Sequence, residues 1–168
     1  VVMLLGNHDF HYLNEVGEQY SGFQWNYRQD INDVLQPAVD EGLIQISFVH
    51  DKYVFTHAGV TKTWVKNVGV DIDNLQESIN DLFKKDISKF KFTVGPNYSN
   101  YGDDITQTPI WVRPESLLVD ILDGKICVVG HTTQDKLTQV GNIILIDTIG
   151  TSGEFLTIVD GVGKADKV

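Results

Sequence analysis

Apolar residues in this chain follow two rhythms, which divide it into strands and helices. Short β-branched or aliphatic runs occupy residues 1–5, 53–56, 126–129, 142–147 and 154–159. The first is unbroken and stopped by Gly6, so it reads as a strand buried on both faces. Residues 43–50 are also β-rich, and Asp51-Lys52 would turn them into a hairpin with Tyr53–Thr56. Helical spacing begins near Asn26, where Ile31, Val34, Leu35, Ala38 and Val39 recur at intervals of three and four before Gly42. Pro37 predicts a kink or a division of that helix, because it has no N–H for the i to i−4 bond.

Residues 61–67 predict a short helix with Trp64 as a packing residue. Asp73 is a candidate N-cap for a helix through Lys85, with Leu75, Ile79, Leu82 and Phe83 on one stripe. Pro114 opens another short helix that ends near Leu122. Residues 90–108 carry no regular pattern and contain Gly95, Pro96 and Gly102. Loops of this length are commonly functional, so this one reads as a wall or lid of a cleft or, equally, as an ordinary connection. Tyr98, Tyr101, Asp103 and Asp104 could touch a substrate there. Residues 161–168 are small, polar and charged, which predicts a frayed tail behind a domain of residues 1–160.

A chain of 168 residues suits one domain that buries roughly 70% of its unfolded surface. Thirteen Lys and Arg against 23 Asp and Glu give a formal charge of −10, which argues against nucleic acid or an anionic membrane as partner. No apolar run approaches the ~20 residues of a membrane span. Cys127 lies inside a strand run and reads as a buried structural thiol. A lone cysteine cannot form an internal disulfide, in keeping with a reducing, cytoplasmic compartment.

Chemistry concentrates at strand ends. Residues 1–5 end at Gly6-Asn7-His8-Asp9, Tyr53–Thr56 at His57-Ala58-Gly59, and Ile126–Val129 at Gly130-His131-Thr132. Each delivers a metal-capable side chain within a residue or two of a glycine, where open α/β sheets bind ligands. Two imidazoles and an amide oxygen suit Mn, Fe or Zn better than Ca or Mg. His11 reads as a solvated loop residue and His50 as a surface one.

In order and spacing these motifs resemble the last three of the calcineurin-like metallophosphoesterases, most closely the serine/threonine protein phosphatases and their bacterial and phage relatives. The resemblance implies an α/β fold, a β-sandwich flanked by helices, with residues 142–147 and 154–159 as the strand pair closing its second sheet. It implies that Asn7, His57 and His131 hold one ion of a pair of divalent metals, Mn, Fe or Zn. His8 would donate a proton to the leaving alkoxide, and Arg113 would bind the phosphate. The second nitrogens of His57 and His131 should each find a carbonyl or carboxylate. The implied activity is hydrolysis of a phosphorylated protein or small phosphoester by metal-activated water. Alternatives are a dinucleoside polyphosphate hydrolase and an inert or partner-binding fragment. The family's Gly-Asp-x-His-Gly and Gly-Asp-x-x-Asp-Arg motifs do not occur here. The expectation is therefore a fold whose N-terminal portion is missing.

Overall fold

A computed structural model of the chain describes residues 1–96 and 103–168, so Tyr98 and Tyr101 lie outside the described residues. The first half runs β1 (Met3–Leu4), α1 (Asn7–Phe10), α2 (Arg28–Asp40), β2 (Ile44–Gln45), β3 (Ser47–His50), β4 (Tyr53–Thr56), α3 (Lys62–Val68) and α4 (Leu75–Lys85). The second runs α5 (Pro114–Val119), β5 (Ile126–Val129), β6 (Thr138–Val140), β7 (Ile143–Leu145), β8 (Glu154–Val159) and β9 (Val162–Lys167).

Five strands form a mixed sheet in the order β3-β4-β5-β7-β6. Its centre, β4-β5-β7, is parallel, and β3 and β6 join antiparallel at the edges. Side chains alternate across a strand, so the sheet has two apolar faces. Val54, Cys127, Val129, Ile143 and Leu145 face the helices, meeting Leu117 of α5 and the core around Ile79 and Phe83 of α4. Tyr53, Phe55, Val128 and Ile144 face the other way and are covered by Leu156 and Ile158 of β8. The α/β class and the helix-flanked sheet hold.

Several local expectations are corrected. The first run is not buried on both faces: β1 has two residues, Val1, Val2 and Met3 are exposed, and burial begins at Leu5. Residues 43–50 break into two strands, because Asn80 Oδ1 of α4 accepts the N–H groups of both Ile46 and Ser47. β2 then pairs parallel with β1, while β3 forms the expected hairpin with β4. Pro37 does not divide α2, since it lies in the last turn on the exposed side, where one lost bond is tolerated. Val34 is 75% exposed rather than packed.

Residues 142–147 and 154–159 do not pair with each other. β7 slots between β5 and β6, and β8 pairs with β9. The supposed tail is thus a strand, with Val162 to Lys167 in register opposite β8. His11 is 4% exposed, enclosed by Tyr12, Tyr20 and Phe23.

Gly59 shows how tightly the strand ends are packed. Its φ is +130°, and a Cβ built there would lie 2.4 Å from Leu117 Cδ2. Gly59→Ala is expected to destabilise the fold by about 2–4 kcal/mol through overpacking and backbone strain. Thermal unfolding should register this as a fall in Tm of roughly 5–10 °C.

Candidate metal centre and phosphate cleft

The parallel register makes the site. Thr56 pairs with Val129, and Val129 with Leu145, so β4, β5 and β7 finish level at their carboxyl ends. The residues that follow are His57, then Gly130 and His131, then Ile146 and Asp147. Gly130 N–H donates to the His57 carbonyl at 2.9 Å, and Ile146 N–H to the Val129 carbonyl at 2.8 Å, so the ladder continues into the turns. Asn7 arrives from β1 at the start of α1. Asp9 Oδ2 accepts the Gly6 N–H at 2.9 Å, folding the turn back on itself. A Cβ on Gly6 would sit 3.2 Å from the His57 imidazole, so glycine is what lets this turn approach His57.

The three side chains meet. His57 Nε2 lies 2.8 Å from Asn7 Oδ1 and 3.0 Å from His131 Nδ1. Residues 50 and 74 positions apart in sequence from His57 thereby share one point. Burial pushes the His57 imidazole down to about 4. Burial, helped by His57 and the Arg113 charge, pushes His131 down to about 3. Both rings are neutral at pH 7 and keep a lone pair for a cation.

Among the described residues no three His, Cys, Asp or Glu side chains gather as a metal-holding group. The trio of two imidazole nitrogens and one amide oxygen nevertheless fits one borderline divalent ion with coordination positions to spare. The outer partner expected for His131 is the Trp111 backbone, which faces its buried Nε2 without closing to hydrogen-bond geometry.

Arg113 and His8 line the same cleft, a cavity of about 540 Å³. Arg113 stands at the N-cap of α5, and its N–H donates to Asp103 Oδ1 at 2.8 Å. The other Asp103 oxygen accepts Ser116 N–H at 3.2 Å. Asp104 folds back onto the N–H and hydroxyl of Thr106. Both acids, read from sequence as possible substrate contacts, instead bind backbone and neighbouring groups. Arg113 Nη1 donates to the His131 carbonyl and to Thr132 Oγ1, each at 3.1 Å. His8 is exposed on α1, with Gly22 so close that a Cβ there would come within 2.8 Å of Nδ1.

Two cleft residues escaped the sequence reading. Trp111 forms a wall, its ring 6.3 Å from that of His131 and backed by Tyr20 and Phe92. Asp147 accepts the Thr133 hydroxyl at 3.1 Å. It follows a third apolar run at the sheet's carboxyl edge, the signal already used for His57 and His131.

The depressed imidazoles have a consequence for stability. Unfolded histidine titrates near 6.5 and the folded rings only near 4 and 3. Between those limits the unfolded state binds more protons, so the metal-free protein should lose stability as pH falls from 6.5 towards 4. Chemical denaturation across that range should show the slope, and His57→Gln with His131→Gln should flatten it.

The profile of the family described as calcineurin-like phosphoesterase matches residues 1–135. Among solved structures, a point mutant of a cold-active protein tyrosine phosphatase is similar at 19% identity and a TM-score of 0.59, over 98% of this chain and 55% of that one. A cold-active protein-tyrosine phosphatase of a psychrophilic Shewanella species is similar at 20% identity and a TM-score of 0.53, over 98% and 58%. At such identities the likeness shows the fold. The chain spans a little over half the length of these structures. A comparison with curated proteins finds no match.

Proposed function

Because the chain belongs to the calcineurin-like phosphoesterase family, we propose that it carries one metal site, the phosphate-binding arginine and the proton donor of a metal-dependent phosphomonoesterase. The observation behind this reading is the convergence of Asn7 Oδ1, His57 Nε2 and His131 Nδ1 within 3.0 Å of the central imidazole. The motif resemblance extends it to a serine/threonine protein phosphatase with a dinuclear centre of Mn, Fe or Zn, working in the cytoplasm on phosphorylated proteins or small phosphoesters.

When bound, divalent ions would supply Lewis-acid stabilisation of the phosphate and a water of lowered pKa. Each protein group has a separate task. Asn7 offers an oxygen without a negative charge that would repel an incoming phosphate. His57 and His131 are kept neutral by burial and so remain ligands at any physiological pH. Arg113 presents a planar fork to phosphate oxygens from the edge of the same cavity. His8, exposed to the cleft on α1, is placed to protonate the departing alkoxide.

The test is Mn-dependent hydrolysis of p-nitrophenyl phosphate by this chain and by any longer native protein that contains it. Hydrolysis by either that is abolished by chelation supports the proposal. No hydrolysis with any of Mn, Fe or Zn overturns it. A phosphopeptide preferred over a dinucleoside tetraphosphate supports the protein phosphatase reading, and the reverse preference replaces it.

A further inference from the structure

Among the described residues three non-glycines have positive φ: Asp51, His131 and Asp160. Asp51 and Asp160 sit in the β3–β4 and β8–β9 hairpin turns, where left-handed backbone is what the turn geometry asks for. His131 is in no hairpin, yet its φ is +60°, a region disfavoured for a residue with a Cβ. Some neighbouring group must hold it there.

The groups that could do so can be followed one by one. Gly130 N–H is tied to the His57 carbonyl and Thr132 N–H to the Gly130 carbonyl, which fixes the turn on either side of His131. The His131 carbonyl itself is bonded by the Arg113 guanidinium at 3.1 Å. The same Nη1 holds Thr132 Oγ1 at 3.1 Å, so one nitrogen clamps two successive residues of the turn. Arg113 is in turn fixed at its backbone by Asp103.

We propose that Arg113 is a positioning residue for the metal centre: by clamping the His131 carbonyl it maintains the left-handed turn that aims His131 Nδ1 at His57 Nε2 and Asn7 Oδ1. The inference rests on the metal-site reading above and adds to Arg113 a second task beside phosphate binding. One side chain then serves both halves of the site, with Nη1 committed to the ligand turn and the rest of the fork left for phosphate.

Charge and positioning make opposite demands, which allows a clean test. A guanidinium beside a cation site repels the cation. If Arg113 acted only by its charge, Arg113→Met would bind metal more tightly. If Arg113 holds the turn, the same variant binds metal more weakly.

The experiment is Co²⁺ titration of this chain, followed by its visible absorption, for the wild type, Arg113→Met, Arg113→Lys, Thr132→Val and Arg28→Met. Loss of an outer partner of a metal ligand weakens affinity by about tenfold or more, and that is the expectation for Arg113→Met. Arg113→Lys, which keeps the charge and one donating nitrogen but not the planar fork, should fall between, and Thr132→Val should show a smaller loss with no change of charge. Arg28, exposed on α2, controls for net charge and should leave affinity unchanged. Thermal unfolding without metal identifies any variant that fails to fold. If Arg113→Met does fail, Arg113→Lys and Thr132→Val decide. Equal or tighter binding by the folded variants overturns the positioning role alone. A wild-type chain that takes up no Co²⁺ overturns the metal-site reading, and the inference with it.

Discussion

His131→Ala is expected to reduce metal-dependent phosphoester hydrolysis by the native protein by about 10³-fold or more, and to lower its metal content in parallel. Outer partners of a metal ligand alone shift affinity or activity by about 10–100-fold, so removing a ligand itself should exceed that. Among the described residues no group of three His, Cys, Asp or Glu side chains stands ready to take over. His57 Nε2 would keep Asn7 Oδ1 at 2.8 Å, but two donors hold a borderline ion far less well than three. The Arg113 bond to the residue-131 carbonyl remains, so the turn at φ +60° is kept and the loss comes from the missing imidazole donor. Metal analysis after gel filtration, paired with Mn-dependent rates, checks both halves. An alanine variant with wild-type metal content and rate would remove His131 from the site.

The second large effect concerns His8 and depends on the leaving group. His8→Asn should lower kcat on an alkyl phosphate by about 10²–10⁴, the usual contribution of a general acid. Metal content should be unchanged, because His8 lies exposed on α1 while the three converging donors are held elsewhere. KM should move little, since the proposal gives the grip on the phosphate to Arg113 rather than to His8. On p-nitrophenyl phosphate the loss should be much smaller, because p-nitrophenolate departs without being protonated. Comparing the two substrates therefore separates proton donation from a general disturbance of the cleft. Equal losses on both would assign His8 to binding or structure instead.

The candidate site was more legible in the sequence than the fold around it. Asn7, His57 and His131 could be read because each follows an apolar run with a glycine within two residues, and the matched parallel register of β4 and β5 brings the two histidine-bearing ends together. Asp147 shares half of that signal, an apolar run before it, but its nearest glycine, Gly150, is three residues on. Edge elements were harder. β6 is three residues long and largely exposed, and β9 carries Lys164, Asp166 and Lys167, so neither shows an apolar run. Their strand character comes from pairing with β7 and β8 rather than from their own composition.

Long-range hydrogen bonds account for the other departures. The break between β2 and β3 is made by Asn80, over thirty residues downstream, and no local pattern announces it. His11 looks like a loop residue in sequence, but Tyr20 N–H donates to its Nδ1 and three aromatic rings enclose it. Asp103 looks like a substrate contact because it is acidic and near Arg113, yet its carboxylate is engaged in opening α5. In each case the deciding partner lies on another element, where periodicity carries no information.

That three side chains from separate strand ends share one cation is tested most directly by anomalous diffraction from crystals of this chain soaked in Zn²⁺. The arrangement described here predicts a peak at the Zn edge within about 2.0–2.2 Å of His57 Nε2, His131 Nδ1 and Asn7 Oδ1. A zinc ion bound only by other residues, or no peak between these three atoms at saturating metal, would contradict it.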